Sequence, residues 1–237
     1  MYNLSIILPV FNEEVRLKTT ISILEKFLKL SKKNKIELIF VSDGSKDKTN
    51  DIISNFIDSK RHNITLIKYK NNIGKGYAVK KGILRAKNQW ILLCDADLSV
   101  HPNQFNKWFF SKMINSNKCA YYGSREHIDS KVKASLTRLI LGFFFRRLIK
   151  FLFKINLSDT QCGFKVFHQS YAKKIFKKMR SYRFSFDVEL TVLLKKNKIK
   201  VIELPLKWVH KSGSKLSIIK DIPKMLFDLL RIKVKYF

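Results

Sequence analysis

The sequence has few cysteines and no long apolar run, and these two shortages exclude several classes of protein. Only Cys94, Cys119 and Cys162 occur in 237 residues, without metal-ligand spacing, so we expect reduced thiols. No stretch of about 20 residues is apolar and free of charge, so no membrane-spanning helix is predicted. The opening residues, MYNLSIILPV, lack the basic start of a signal peptide. We therefore expect a chain that stays on the cytosolic side.

Acidic residues are also scarce, because 18 Asp and Glu face 48 Lys and Arg, a formal net charge of +30. Such an excess indicates an acidic partner, which could be nucleic acid, anionic lipid head groups or phosphorylated substrates. Lys, Asn, Ile and Phe are all abundant, as in proteins of AT-rich genomes, and this bias explains part of the charge. Charge alone therefore does not choose among the three partners.

The first half of the chain alternates strand and helix patterns, which predicts an α/β fold with a mostly parallel sheet flanked by helices. The predicted strands are Leu4–Val10, Ile36–Val41, Ile64–Tyr69 and Trp90–Cys94, with a later one at Ile199–Leu206. The predicted helices between them run over about 15–30, 48–57 and 77–86. In such sheets ligands bind at the carboxyl ends of the strands.

Polar clusters follow three of these strands: FNEE at 11–14, SDGS at 42–45 and DADLS at 95–99. A single cluster is more often a helix cap or a turn, but three at successive strand ends indicate one shared site. Asp95 and Asp97 can converge on one hard divalent cation, Mg²⁺ or Mn²⁺ rather than Zn²⁺, or can belong to a capped turn. Asp43 and Glu13 can accept hydrogen bonds from a base or ribose.

These motifs together identify a resemblance. LPVFNEE, VSDGSKDKT, NNIGKGYAVKKG, DADLS and GSR (123–125) resemble the family-two inverting glycosyltransferases, which have a nucleotide-diphospho-sugar transferase (GT-A) fold. DTQCGFKVF (159–167), FSFDVEL (184–190) and GSKL (213–216) are similar to dolichyl-phosphate β-glucosyltransferases. The resemblance covers nearly the whole chain and implies a UDP-glucose donor, a polyprenyl phosphate acceptor and a divalent cation.

The resemblance also implies roles for individual residues. The expected ligands of the nucleotide-sugar are Pro9, Phe11, Asn12, Glu13, Asp43, Gly44, Lys75 and Asp95. Asp95 and Asp97 would hold the metal, and the expected catalytic residues are Asp97, Arg125, Asp187 and Glu189. The acceptor would meet Arg125, Arg138, Gln161 and Lys215. Ser99 replaces the Gln of related mannosyl enzymes, which disfavours a mannose donor, and the amino-terminal membrane helix of many relatives is not apparent.

The implied acceptor determines the expected mechanism. A phosphate monoester is mostly dianionic at neutral pH, its second pKa being about 6, so it needs positioning and charge screening rather than a base. Arg125, Arg138 and Lys215 could supply that screening. Asp187 and Glu189 would then orient sugar hydroxyls, unless they only place negative charge at a helix amino terminus.

The second half differs in character and predicts membrane contact. Residues 131–157 mix Arg and Lys with LILGFFF and LIKFLFKI, a composition that suits helices lying in the head-group region. A buried helical hairpin is the alternative. We therefore divide one catalytic domain into a donor half, 1–125, and an acceptor and membrane half, 126–237. The expected location is the cytosolic face of the endoplasmic reticulum or, in a bacterium, of the plasma membrane.

Two other functions remain as alternatives. A related glycosyltransferase could use GDP-mannose, another UDP-sugar or a non-lipid acceptor. A nucleic-acid-binding module would need basic and aromatic residues on one recognisable platform, and no such signature is visible, so no nucleic-acid partner is expected.

Overall fold

A computed structural model describes residues 1–59, 63–133, 136–211 and 218–237. The strands are β1 Asn3–Val10, β2 Lys35–Asp43, β3 Ile64–Tyr69, β4 Trp90–Leu93, β5 Cys119–Ser124, β6 Lys131–Lys133, β7 Lys165–His168, β8 Lys200–Pro205 and β9 Lys207–Val209. The helices are α1 Glu14–Leu30, α2 Thr49–Asp58, α3 Lys75–Arg85, α4 Asn103–Phe110, α5 Leu136–Phe153, α6 Gln169–Lys178, α7 Phe186–Lys196 and α8 Ile218–Tyr236.

Seven strands form one sheet in the order β3-β2-β1-β4-β7-β5-β8. All neighbouring pairs are parallel except those of β7, which runs antiparallel to both β4 and β5. Strands β6 and β9 pair separately in parallel. The predicted α/β class and mostly parallel sheet are confirmed, and each strand predicted from the sequence is present to within about two residues at either end.

Helices cover both faces of the sheet, which explains why its central strands are almost continuously apolar. On α1, Leu17, Leu24 and Phe27 share one buried stripe that packs against one face of the sheet. Residues of α3, α6 and α7 pack against the other face. Parallel strands β1, β2 and β4 therefore end together at one edge, between the two helical layers.

Helix α5 occupies most of the segment for which membrane contact is predicted. One side of it is core, because Ile149 and Phe153 pack with residues of α7 and α8 in a third apolar cluster. Another side is exposed, with Phe143 at 47% and Phe151 at 82% of full accessibility. The helix is thus partly buried, and membrane contact through its exposed side stays a prediction. Within the described ranges, no helix has the length and apolar character needed to cross a bilayer.

Candidate active site

The carboxyl ends of β1, β2 and β4 open into one cavity of about 340 Å³. Its wall contains seven of the residues predicted for the donor and metal: Pro9, Phe11, Glu13, Asp43, Lys75, Asp95 and Asp97. The adjacency follows from the sheet order, since β1 lies between β2 and β4. We call this space the donor cavity.

Asp43 holds one wall of the donor cavity in place. Its carboxylate accepts hydrogen bonds from the backbone N–H groups of Ile73 and Gly74, both at 2.8 Å, and from the side chain of Asn72 at 3.0 Å. Burial raises the pKa of Asp43, although these N–H groups act in the opposite direction. The turn before α3 is thereby fixed against the end of β2.

Asn12 and Gly44 support the donor cavity from outside its wall. The Asn12 side-chain oxygen accepts a hydrogen bond from the backbone N–H of Lys46 at 2.9 Å. Gly44 has a φ of +73°, and a Cβ there would approach the Asn71 carbonyl carbon to 2.5 Å. Both residues therefore shape the loops that follow β1 and β2.

Each of the two paired carboxylates faces a cation of the chain itself. Lys75 Nζ lies 2.6 Å from Asp95 Oδ1. Burial alone would raise the pKa of Asp95, but the adjacent Lys75 ammonium, together with Lys165 and Arg125, lowers that pKa. Arg16 Nη1 lies 4.0 Å from Asp97 Oδ2, and the same guanidinium donates to both oxygens of Glu13 at 2.7 and 2.5 Å.

The residues present fit a divalent cation held jointly with a diphosphate. Asp97 Oδ1 accepts the backbone N–H of Ser99 at 2.9 Å, which leaves Oδ2 toward the cavity, while Lys75 engages only one oxygen of Asp95. A Cβ on Gly163 would reach 2.0 Å from Asp95 Oδ2, so only glycine leaves room for that oxygen. The described residues contain no group of three His, Cys, Asp or Glu side chains that could hold a metal. Two carboxylates completed by phosphate and water oxygens are the usual ligand set of Mg²⁺.

Asp187, for which a catalytic role is predicted, does not line the donor cavity and belongs to a buried ion pair that the sequence did not reveal. Lys165 Nζ, fully buried on β7, lies 2.6 Å from Asp187 Oδ1 and donates to the Cys162 carbonyl at 2.5 Å. Burial raises the pKa of Asp187 despite the neighbouring ammonium. The Lys165 ammonium lies 4.8 Å from the centroid of the Tyr122 ring. Asp187 is therefore held within the protein by its lysine partner.

Arg125, for which contact with the acceptor is predicted, forms an ion pair within the protein. Its Nε and Nη2 donate to the two oxygens of Asp159 at 2.7 and 2.9 Å, and its backbone N–H donates there too. Asp159 is fully buried, and after the opposing effect of burial the Arg125 guanidinium lowers its pKa to about 2. The backbone N–H of Gln161 also donates to Asp159, at 3.1 Å. Two of the three guanidinium nitrogens are thus engaged within the protein.

Glu189, for which a catalytic role is predicted, does not line the donor cavity. Its carboxylate accepts the backbone N–H groups of Arg180 and Ser181 at 2.8 and 2.5 Å and the Tyr236 hydroxyl at 2.7 Å. Although burial acts to raise the pKa of Glu189, these donors lower it. Glu189 stands in the first turn of α7, which agrees with the structural alternative, and it anchors a loop rather than facing the donor.

Two acceptor predictions fall outside what is described: Lys215 lies outside the described residues, and so does the side chain of Arg138.

The donor cavity also contains Arg16, Arg183 and Phe184, which sequence reasoning missed. Arg16 stands one turn after Glu13, a spacing that signals a neighbour on the same helical face. No local pattern connects Arg183 with the strand ends.

Comparisons with known proteins agree with this geometry. The model of the family named glycosyl transferase family 2 matches residues 5–176. A dolichyl-phosphate beta-glucosyltransferase of Dictyostelium discoideum is 35% identical over 243 residues, which cover 98% of this chain and 74% of that protein. The Homo sapiens protein of that name is 34% identical over 249 residues, covering 98% of this chain and 75% of that protein.

Solved structures agree on the fold. Glucosyl-3-phosphoglycerate synthase of Mycobacterium tuberculosis, in complex with Mn²⁺, UDP and phosphoglyceric acid, superposes with a TM-score of 0.69 at 14% identity, covering 99% of this chain and 78% of that one. Mannosyl-3-phosphoglycerate synthase of Rubrobacter xylanophilus gives 0.68 at 13% identity, with 99% and 73% covered. At these identities the likeness establishes the fold alone.

Proposed function

Because the chain belongs to glycosyl transferase family 2, we propose that it transfers glucose from UDP-glucose to a polyprenyl phosphate, with inversion at the sugar. The observation that carries this proposal is the donor cavity, in which Asp95 and Asp97 face Lys75 and Arg16 at the ends of parallel strands. The names of the relatives support glucosyl transfer to dolichyl phosphate.

The donor would lie with its nucleoside against the turn that Asp43 fixes and its diphosphate at Asp95 and Asp97. A divalent cation bound there would neutralise diphosphate charge as the leaving group departs. Lys75 and Arg16 add two cations at the same place, so the chain itself contributes to stabilising UDP as a leaving group.

The acceptor phosphate would act directly as the nucleophile. One of its oxygens forms a bond to the anomeric carbon, while the bond from that carbon to the β-phosphate oxygen breaks and UDP leaves with the electron pair. No proton has to be removed, because the phosphate is largely dianionic at neutral pH. Asp187 is paired with Lys165, and Glu189 accepts the Tyr236 hydroxyl. These contacts support a mechanism in which neither carboxylate acts as a base.

The exposed aromatic residues of α5 and of the outer side of α8 support the proposal that the protein attaches to a membrane surface. Phe143, Phe151 and Phe227 are 47%, 82% and 61% exposed, beside the basic residues Arg147 and Arg231. We place this surface at the cytosolic face of a membrane. The division into a donor half, 1–125, and an acceptor and membrane half, 126–237, is part of the same proposal.

A substrate screen tests the proposed function. Radiolabelled UDP- and GDP-sugars are offered with a short polyprenyl phosphate, the matching polyprenol or 3-phosphoglycerate, with and without EDTA. We expect transfer only from UDP-glucose to polyprenyl phosphate, and loss of that transfer in EDTA. Transfer to the unphosphorylated polyprenol at the same rate would refute the mechanism, while another preferred donor or a soluble acceptor would favour a related transferase.

A variant of Asp97 tests the metal assignment in the same assay. Asp97→Asn keeps the size of the side chain but removes the charge that faces the cavity. We expect Mg²⁺-dependent UDP binding, measured by calorimetry, to fall by about ten- to a hundredfold. Unchanged metal-dependent binding would remove Asp97 from the metal site.

A further inference from the structure

A second cavity, of about 850 Å³, lies between α8 and the loop that joins α6 to α7. We call it the α8 cavity. Arg183 lines both this cavity and the donor cavity, so the two spaces are neighbours. None of the roles derived above for donor, metal or acceptor uses the α8 cavity.

Positive charge predominates in the α8 cavity. Arg180, Arg183, Arg231 and Lys235 line it, against Glu189 and Asp228. Both acids are already engaged. Glu189 accepts backbone N–H groups and the Tyr236 hydroxyl, with Lys235 Nζ at 3.4 Å. Burial raises the pKa of Asp228, against the effect of Ser185 and Arg231. Four basic side chains against two acids leave a net positive charge to meet an anion. Three of the four are guanidinium groups, and guanidinium is the side chain best suited to phosphate.

One wall of the α8 cavity is apolar and continues onto the surface. Leu230 and Val234 line the cavity and are 57% and 86% exposed. At helical spacing before them on α8 stand Leu226 and Phe227, which are also exposed. The opposite side of α8, with Leu229, packs against α5 and α7. An uncovered apolar strip thus leads from the protein surface to a group of arginines.

We propose that the α8 cavity binds the phosphate head of a lipid, with its hydrocarbon chain along Leu226, Leu230 and Val234. Guanidinium groups beside an apolar strip fit an amphiphile better than a free anion. A free anion would contact the guanidinium groups but leave the apolar strip exposed to water. The phosphate has two possible sources, the acceptor polyprenyl phosphate or a phospholipid of the membrane. The first source rests on the proposed function; the second does not.

The test compares two double variants that lose the same charge. Arg180→Gln with Arg231→Gln alters the cavity and leaves Arg183 in the donor cavity intact. Lys224→Gln with Lys233→Gln is the control, because both lysines are on α8 but do not line the cavity. Binding to phosphatidylcholine liposomes doped with polyprenyl phosphate, with phosphatidic acid or with nothing is measured by flotation.

We expect the arginine variant to lose about tenfold or more of its affinity for at least one doped liposome, and the lysine variant to lose about threefold or less. Loss for polyprenyl phosphate alone identifies the acceptor as the occupant, and loss for both dopants identifies a general head-group site. Equal affinities of the two variants for every liposome would overturn the proposal. Mg²⁺-dependent UDP binding is followed in parallel, so that failure of the donor site is recognised separately. If the Gln variant unfolds, Arg180→Lys with Arg231→Lys replaces it, and it must show the same selective loss.

Discussion

Gly163 lies so close to the Asp95 carboxylate that any side chain would displace it. A Cβ would approach Asp95 Oδ2 to 2.0 Å. Gly163→Ala should therefore turn the carboxylate away from the cavity and weaken Mg²⁺-dependent UDP binding by about tenfold or more, the effect of losing a charge-assisted contact. Thermal unfolding should change little, because a side chain rather than backbone yields.

Gly142→Ala is the matched control for Gly163. The atom nearest to its added Cβ would be Arg146 Nη1, at 2.7 Å, the far end of a flexible side chain that can move. UDP binding should be unchanged in this variant. If both alanine variants bind UDP like the parent chain, the space at Asp95 is not part of the donor site.

The lowered pKa of Asp159 predicts that the free energy of unfolding decreases in acid. Its pKa is about 2 in the folded chain, against about 3.9 when unfolded, so the folded state binds fewer protons. The stabilisation is complete above about pH 4, falls as the pH drops from about 4 to about 2, and amounts to about 2 kcal/mol. Asp159→Asn should lower the unfolding free energy at neutral pH by about 3 kcal/mol, because Arg125 loses its partner.

Urea unfolding at neutral pH and at about pH 3 measures this linkage. The unfolding free energy of Asp159→Asn should change less between the two conditions than that of the parent chain. Asp58→Asn, which alters an exposed carboxylate on α2, should leave the pH dependence as it is. Identical pH dependence in Asp159→Asn would show that the ion pair does not couple to folding.

At the scale of the element, α5 presents different aromatic residues to the core and to the outside. Phe143→Ser with Phe151→Ser should release the protein from anionic liposomes by about tenfold or more, since each exposed ring contributes up to about 2 kcal/mol on burial. The melting temperature should remain unchanged. Liposome flotation and thermal unfolding measure the two effects.

Phe153→Ala is the contrasting variant on the same helix. Phe153 is fully buried against α7 and α8, so its truncation should destabilise the fold by about 3–5 kcal/mol. Unfolding of the Phe143 and Phe151 variant instead would mean that the outer side of α5 is covered by protein.

At the scale of the whole molecule, the net charge of +30 should make the proposed membrane association sensitive to salt. Each basic residue near an anionic surface adds about 1 kcal/mol, and the screening length is about 8 Å at physiological ionic strength. Affinity for anionic liposomes should therefore fall steeply with added NaCl. UDP binding in the partly enclosed donor cavity should fall less, and phosphatidylcholine liposomes serve as the uncharged control. If the affinity for anionic liposomes did not change with salt, apolar contacts alone would account for the attachment.

The layered α/β fold and the position of the donor cavity can be predicted from the sequence. Apolar periodicity distinguishes helices from buried strands, and parallel strands place their carboxyl ends at one edge of the sheet. The polar clusters after β1, β2 and β4 therefore had to lie close together, as Glu13, Asp43 and Asp97 do.

Which residues of the second half of the chain lie near that edge depends on long-range packing. Antiparallel β7 enters the sheet between β4 and β5. As a result, Gly163 lies against Asp95, and Lys165 pairs with Asp187. Partners distant in sequence then engage other charged residues within the protein, as Asp159 engages Arg125 and the Tyr236 hydroxyl engages Glu189. Such pairings depend on long-range contacts that no local spacing encodes, because a charged side chain takes whichever partner the packed chain brings within reach.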